Sequence, residues 1–167
     1  MSLHDIEERI DYYRIRAWRQ GRAHYLAAKR SSRLNNWLGI PVVTSTTIVG
    51  TTIFSTLNSQ PILWLRIITG LLSVGAAVLS ALQTFFKYAE RAEKHYHAGA
   101  ALFRIKRNFD IFLLNLAEAQ EKDRAALLEK LAALASEFDQ IEKESPDVPD
   151  ELYDRAKREQ MRDTEGI

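Results

Sequence analysis

Hydrophobic and polar residues in this chain are sorted into blocks. No Asp, Glu, Lys or Arg occurs between Arg33 and Arg66, and none between Arg66 and Lys87, whereas charge is dense on either side. The middle block holds two long apolar runs, "WLGIPVVTSTTIVGTTIFSTL" (37–57) and "ILWLRIITGLLSVGAAVLSALQTFF" (62–86), joined by "NSQP" (58–61). About 20 mostly apolar residues in a helix cross a hydrocarbon core of about 30 Å, so each run predicts one membrane span. Asn58, Ser59 and Pro61 favour a turn, and Pro61 also suits the first turn of the second helix. The pattern predicts a membrane helical hairpin.

The first run is rich in Thr and Ser, which raises the alternative of β-strands in a soluble core. Its hydroxyl residues do not alternate with period two. At about 100° per residue, Thr44, Thr47, Thr51, Ser55 and Asn58 fall on one helical face, with Val42, Val49, Ile53 and Leu57 on the other. Such a stripe can bond back to its own helix, pack against a neighbouring helix or line a wet pore. In the second run Gly70, Ser73, Ala77 and Ala81 form a small-residue face suited to close helix packing, leaving the hydroxyl face as the candidate pore lining. Two helices cannot enclose a lumen, so a pore requires several copies of the chain. Arg66 lies near one end of the second run. It can snorkel to headgroups, or form a ring at the outer mouth of a pore.

The flanking arms carry helical seams. Leu3, Ile6, Ile10, Tyr13, Ala17, Gln20 and His24 repeat at alternating three- and four-residue spacing, and Tyr88, Ala92, His95, Gly99, Leu102, Phe109, Leu113 and Leu116 prolong the second span in the same way. Leu127, Leu131, Leu134, Phe138 and Ile141 form a third seam, with Asp123 as its expected N-cap. Pro146 and Pro149 then break the chain before one short helix. The expected organisation is a cytoplasmic N-terminal helix (1–36), a two-span hairpin (37–86), cytoplasmic helices (87–145) and a tail (146–167). The fold class is all-α.

Composition changes this picture little. The 167 residues are 46% hydrophobic, with 23 basic against 22 acidic residues, a balance that gives no argument for a nucleic-acid binder. The mean hydropathy of −0.25 averages an apolar middle with polar arms. Position matters more. Lys29, Arg30 and Arg33 flank one end of the hairpin and Lys87, Arg91 and Lys94 the other, while the turn has no basic residue, so both termini are expected in the cytoplasm. The polar stretch ahead of the first run argues against a secretory signal peptide. Membrane-flanking charge facing anionic lipid accounts for most basic residues of the first arm. There is no Cys. His95 and His97, two apart on a helix, point to different faces and make a poor metal pair. No nucleophile–base pair, phosphate loop or carboxylate pair suggests an enzyme or a cofactor.

The segments "YYRIRAWRQGRAHYLAAKRSSRLNNWLGI" and "LSALQTFFKYAERAEKHYHAGAALFRIKRNFDIFL", with the short turn between the spans and the tail "SPDVPDELYDRA", resemble the SLATT family, the SMODS- and SLOG-associating two-transmembrane effector domains of bacteria. The resemblance covers roughly residues 10 to 155. It implies a membrane effector of a prokaryotic conflict system, in which a separate sensor protein or nucleotide second messenger triggers permeabilisation of the inner membrane. The residues and the resemblance together lead us to expect a homo-oligomeric gated pore in the bilayer. A non-conducting anchor whose arms bind a partner, and a soluble helical adaptor, remain as alternatives.

Overall fold

The computed structural model describes residues 3–55, 62–117 and 120–165. The predicted turn 58–61, including Asn58, lies outside the described residues, as does Leu57. Five α-helices follow in order: α1 (Leu3–Ser55), α2 (Leu63–Phe86), α3 (Tyr88–Ala117), α4 (Arg124–Glu144) and α5 (Asp150–Glu165), with a 3₁₀ turn at Glu121–Asp123 before α4. No strand occurs among the described residues, so the fold is all-α.

The chain divides into two compact units, one built from Arg30–Ala92 and the other from the residues before Arg30 and after Ala92. The first is the hairpin. Its part of α1 continues through Pro41 without interruption; the lost backbone donor is tolerated far better in a membrane helix than in a soluble one. The 24 residues of α2 rise about 36 Å, enough to cross a bilayer. The apolar windows of the two long helices are almost wholly uncovered, 0% and 6% of them being buried. A soluble protein's core helix would be the reverse. Trp37, Phe54, Leu71, Val74 and Phe85 all stand more than half exposed, an arrangement that hydrocarbon accommodates and water does not.

The second unit is a helical bundle. Ile6, Ile10 and Ala17 of α1, Leu102, Ile105, Phe109, Phe112 and Leu116 of α3, and Leu131 and Phe138 of α4 form one buried cluster. On all three helices these positions follow the alternating three–four spacing of interlocking helices. Tyr13 joins them, stacked on Phe109 with ring centroids 5.6 Å apart and edge-on to Phe138 at 5.8 Å. A smaller cluster of Ala23, Leu26 and Ala156, with Val148, Leu152 and Tyr153 beside it, fastens α5 to α1.

Two local features differ from expectation. Asp123 stands at the N-cap position of α4 but makes no cap there; its carboxylate accepts instead from the Gln120 N–H at 3.2 Å, because the 3₁₀ turn moves the start of the helical segment back to Gln120. The second span also does not run straight into the following helix. It ends at Lys87, the only described non-glycine residue with positive φ (49°), and α3 begins at the next residue. A left-handed conformation costs a residue with a side chain about 1–2 kcal/mol. Phe86 and Tyr88 stack across the break at 5.3 Å, an aromatic contact worth about 0.5–1.5 kcal/mol that offsets part of that cost.

Phe109 and Phe138 are both fully buried. Phe109→Ala should lower the stability of the bundle by about 3–5 kcal/mol, seen as an earlier thermal transition in detergent, whereas Leu114→Ala, at a side chain 73% exposed, should shift it little. Equal shifts in the two variants would contradict this core.

Candidate functional site

In the hairpin, burial identifies which faces meet. On α1 the half-buried positions are Ser31, Asn35, Leu38, Gly39, Val42, Ser45, Val49 and Thr52; on α2 they are Leu65, Thr69, Leu72, Leu79, Gln83 and Phe86, with Ala76 fully buried among them. Both sets recur every three or four residues, which is one stripe per helix. Gln83 Nε2 donates to Asn35 Oδ1 at 3.1 Å, and a Cβ on Gly39 would sit 3.2 Å from the Gln83 amide nitrogen. Glycine here lets the Gln83 side chain lie across α1. The antiparallel register set by Asn35 and Gln83 brings Val42, seven residues on, level with Ala76, seven residues back. Such an interhelical hydrogen bond in a membrane is worth about 0.6 kcal/mol on average.

Thr44, Thr47 and Thr51 lie opposite this seam and are exposed. Each hydroxyl donates to its own helix, to the carbonyls of Ile40, Val43 and Thr47 respectively, at 2.8 Å in every case. Their polarity is thus satisfied within α1, and no second helix among the described residues covers them. Ser55 is the last residue of α1; with Asn58 outside the described residues, the predicted stripe is described through its three threonines.

The predicted packing residues Gly70, Ser73, Ala77 and Ala81 are all exposed, and the seam passes through Ala76 instead. A Cβ on Gly70 would meet nothing within 4 Å, and the Ser73 hydroxyl donates to the Thr69 carbonyl at 2.9 Å. The physical reason is phase: Ala76 and Ala77 are 100° apart on the helix, and the larger residues Leu65, Leu72 and Leu79 share Ala76's side. The outside of α2 therefore has two flanks. Ile67, Leu71, Val74 and Val78 make a bulky apolar one, while Gly70, Ser73, Ala77 and Ala81 make a small-residue one. Arg66, exposed at the start of α2, lies on the small-residue flank.

In the bundle, three arginines of α1, Arg16, Arg19 and Arg22, bond to the returning helices α4 and α5. Arg16 donates twice to the Glu142 carboxylate, at 2.7 and 2.8 Å, and Gln20 adds a third bond at 2.6 Å. Burial alone would weaken the Arg16 charge, but Glu142 outweighs it and raises the guanidinium pKa. Arg22 donates to Glu159 at 2.6 Å and Arg19 to Gln160 at 2.9 Å. The Arg22 bond holds the Glu159 carboxyl below its ordinary range. Arg14 lies 3.0 Å from Asp11. These partners are more than a hundred residues away for Arg16, Arg19 and Arg22, and no local pattern announces them.

Where α1 and α3 cross, both helices carry glycine. A Cβ on Gly99 would lie 3.2 Å from the Gly21 carbonyl, and one on Gly21 would lie 3.0 Å from the Phe103 ring. One turn away His24 and His95 meet, Nδ1 to Nδ1 at 3.1 Å. One Nδ1–H donates to the other, so at least one ring is neutral. His24 is only 5% exposed; burial, then the neighbouring His95, pushes its pKa down to about 4. Burial lowers that of His95 too. His97 faces outward near Glu93, and no group of three potential metal ligands occurs among the described residues. A cavity of about 180 Å³ lined by Gln20, His24, Glu142, Asp147 and Tyr153 adjoins the crossing, smaller than the roughly 300 Å³ at which small-molecule pockets begin.

The profile of SMODS and SLOG-associating 2TM effector domain family 4 matches residues 10–165, nearly the whole chain. The chain belongs to this family. The two uncovered apolar helices agree with the family's two transmembrane segments, and the protein is a membrane effector. No curated protein and no solved structure matches it.

The His24–His95 contact makes stability depend on pH. Because the folded pKa of His24 lies near 4 against an ordinary 6.5, the unfolded chain takes up a proton first as pH falls. The fold is fully favoured above pH 6.5 and loses about 2 kcal/mol by about pH 5. Thermal unfolding in detergent should show this loss, and His24→Gln should flatten it. An equal slope in the variant would contradict the assignment.

Proposed function

We propose that the chain is one subunit of a homo-oligomeric gated pore in the bacterial inner membrane, with both termini in the cytoplasm and the helical bundle receiving the trigger. The observation that carries this reading is that the hairpin closes along one seam and leaves two outer faces free: the Thr44, Thr47 and Thr51 face of α1 and the small-residue flank of α2 that bears Arg66. Bulky apolar residues suit lipid. Hydroxyl and small residues suit a lumen and contacts between copies. In such an assembly Gly70, Ser73, Ala77 and Ala81 pack between subunits, and a ring of Arg66 at the outer mouth favours anions.

The family description, an effector domain that associates with SMODS and SLOG, supports a trigger from outside the chain. In our reading that trigger is a separate sensor protein or a nucleotide second messenger, and the setting is antiphage defence. We propose no catalytic role, cofactor or nucleic-acid ligand for the chain itself. A second reading, a non-conducting membrane anchor that scaffolds a partner, is favoured by the self-bonded threonine hydroxyls, which can face lipid without loss of hydrogen bonding.

Ion flux through reconstituted liposomes separates the two. In a pore, Thr51→Leu narrows and dries the wall and should reduce conductance several-fold while the oligomer keeps its size, and Ile53→Leu, nearly volume-conserving, should change little. A full-size Thr51→Leu oligomer with unaltered conductance would exclude this lining. An oligomer that passes no ions, with or without its sensor partner, would favour the anchor.

A further inference from the structure

We propose that Lys87 is a two-state hinge, at which α2 and α3 are separate helices in one state and a single unbroken helix in the other. The break between them is confined to this residue. Lys87 has φ 49° and ψ 41°, the left-handed region, while the residues before and after it are helical. Glycine and asparagine are the residues that usually hold this conformation at a helix end; lysine is a good helix former. Its backbone still serves both helices, since its N–H donates to the Gln83 carbonyl at 3.2 Å and its carbonyl accepts from Arg91 at 3.0 Å. Rotating this one residue to ordinary helical angles would join α2 to α3.

The opposing contact is equally local. Phe86 and Tyr88 stack with ring planes 27° from parallel, yet residues two apart in a continuous helix point to opposite sides. The stack exists only while the helix is broken. A strained residue that suits the other state, balanced by a contact available only in this state, is how a segment becomes bistable. The conformational claim stands apart from the pore reading; only the use of the hinge in gating, as the link between bundle and span, rests on that reading.

The chain has no cysteine, so spin labels can be placed at Val74→Cys and Arg91→Cys, both within the hairpin unit, in the full-length reconstituted protein, diluted with unlabelled chains. Seventeen residues of unbroken helix set these positions about 26 Å apart, and a break at Lys87 changes the distance. Lys87→Gly, which relieves the left-handed strain and weakens the straight helix, should remove any population at about 26 Å. Lys87→Val, for which positive φ is prohibitive, and Tyr88→Ala, which deletes the stack, should each raise it by about fivefold or more. One unchanged distance in all four proteins would overturn the hinge. Distances that shift while ion flux stays constant keep the hinge and count against the gated pore.

Discussion

Each of the two long helices carries far more apolar surface than the other can cover. A helix pair meets along one stripe, and here that stripe takes Val42, Val49, Leu72, Ala76 and Leu79 while Trp37, Phe54, Leu71, Val74 and Phe85 remain outside. Everything else follows from that surplus. The outer surface must face hydrocarbon or other copies of the chain, which makes the hairpin a membrane element, and the places where the outside turns small or hydroxylic become the places where lipid is not the obvious neighbour.

The bundle is stabilised by different means. Its core is aliphatic and aromatic and tightly phased, with Tyr13 in contact with both Phe109 and Phe138, and its periphery is fastened by charged contacts from α1 to α4 and α5. At the α1–α3 crossing glycines bring two histidines together in a setting that favours their neutral forms. Helices held by a core, by paired charge and by a pH-sensitive contact have several points at which an outside partner can shift them, which suits a unit proposed to receive a trigger.

Much of this architecture was legible in the sequence. The two spans follow from the length of their apolar runs, and the seams of α1, α3 and α4 from three–four spacing, because burial of one helical face leaves that periodicity in any sequence. What the sequence did not show was pairing: it favoured the Ala77 face of α2 for close packing. Periodicity in α2 allows both an Ala76 and an Ala77 face, and only the bulk of Leu65, Leu72 and Leu79 beside Ala76 decides which one closes on α1. The acidic partners of Arg16 and Arg22 lie at the far end of the chain, so charge beside a membrane span suggested lipid instead. The single left-handed residue at Lys87 carries no glycine or proline to mark it.

The most direct test of the account is the environment of the α1 hydroxyl face in the assembled protein. Spin labels at Thr47 and Thr51 should be reached by a water-soluble nickel reagent and poorly by oxygen, while labels at Leu71, Val74 and Val78 should show the opposite, and a label at Val49 in the seam should be reached poorly by both. Oxygen accessibility at Thr47 and Thr51 equal to that at Val74 would place the threonine face in lipid and contradict the pore.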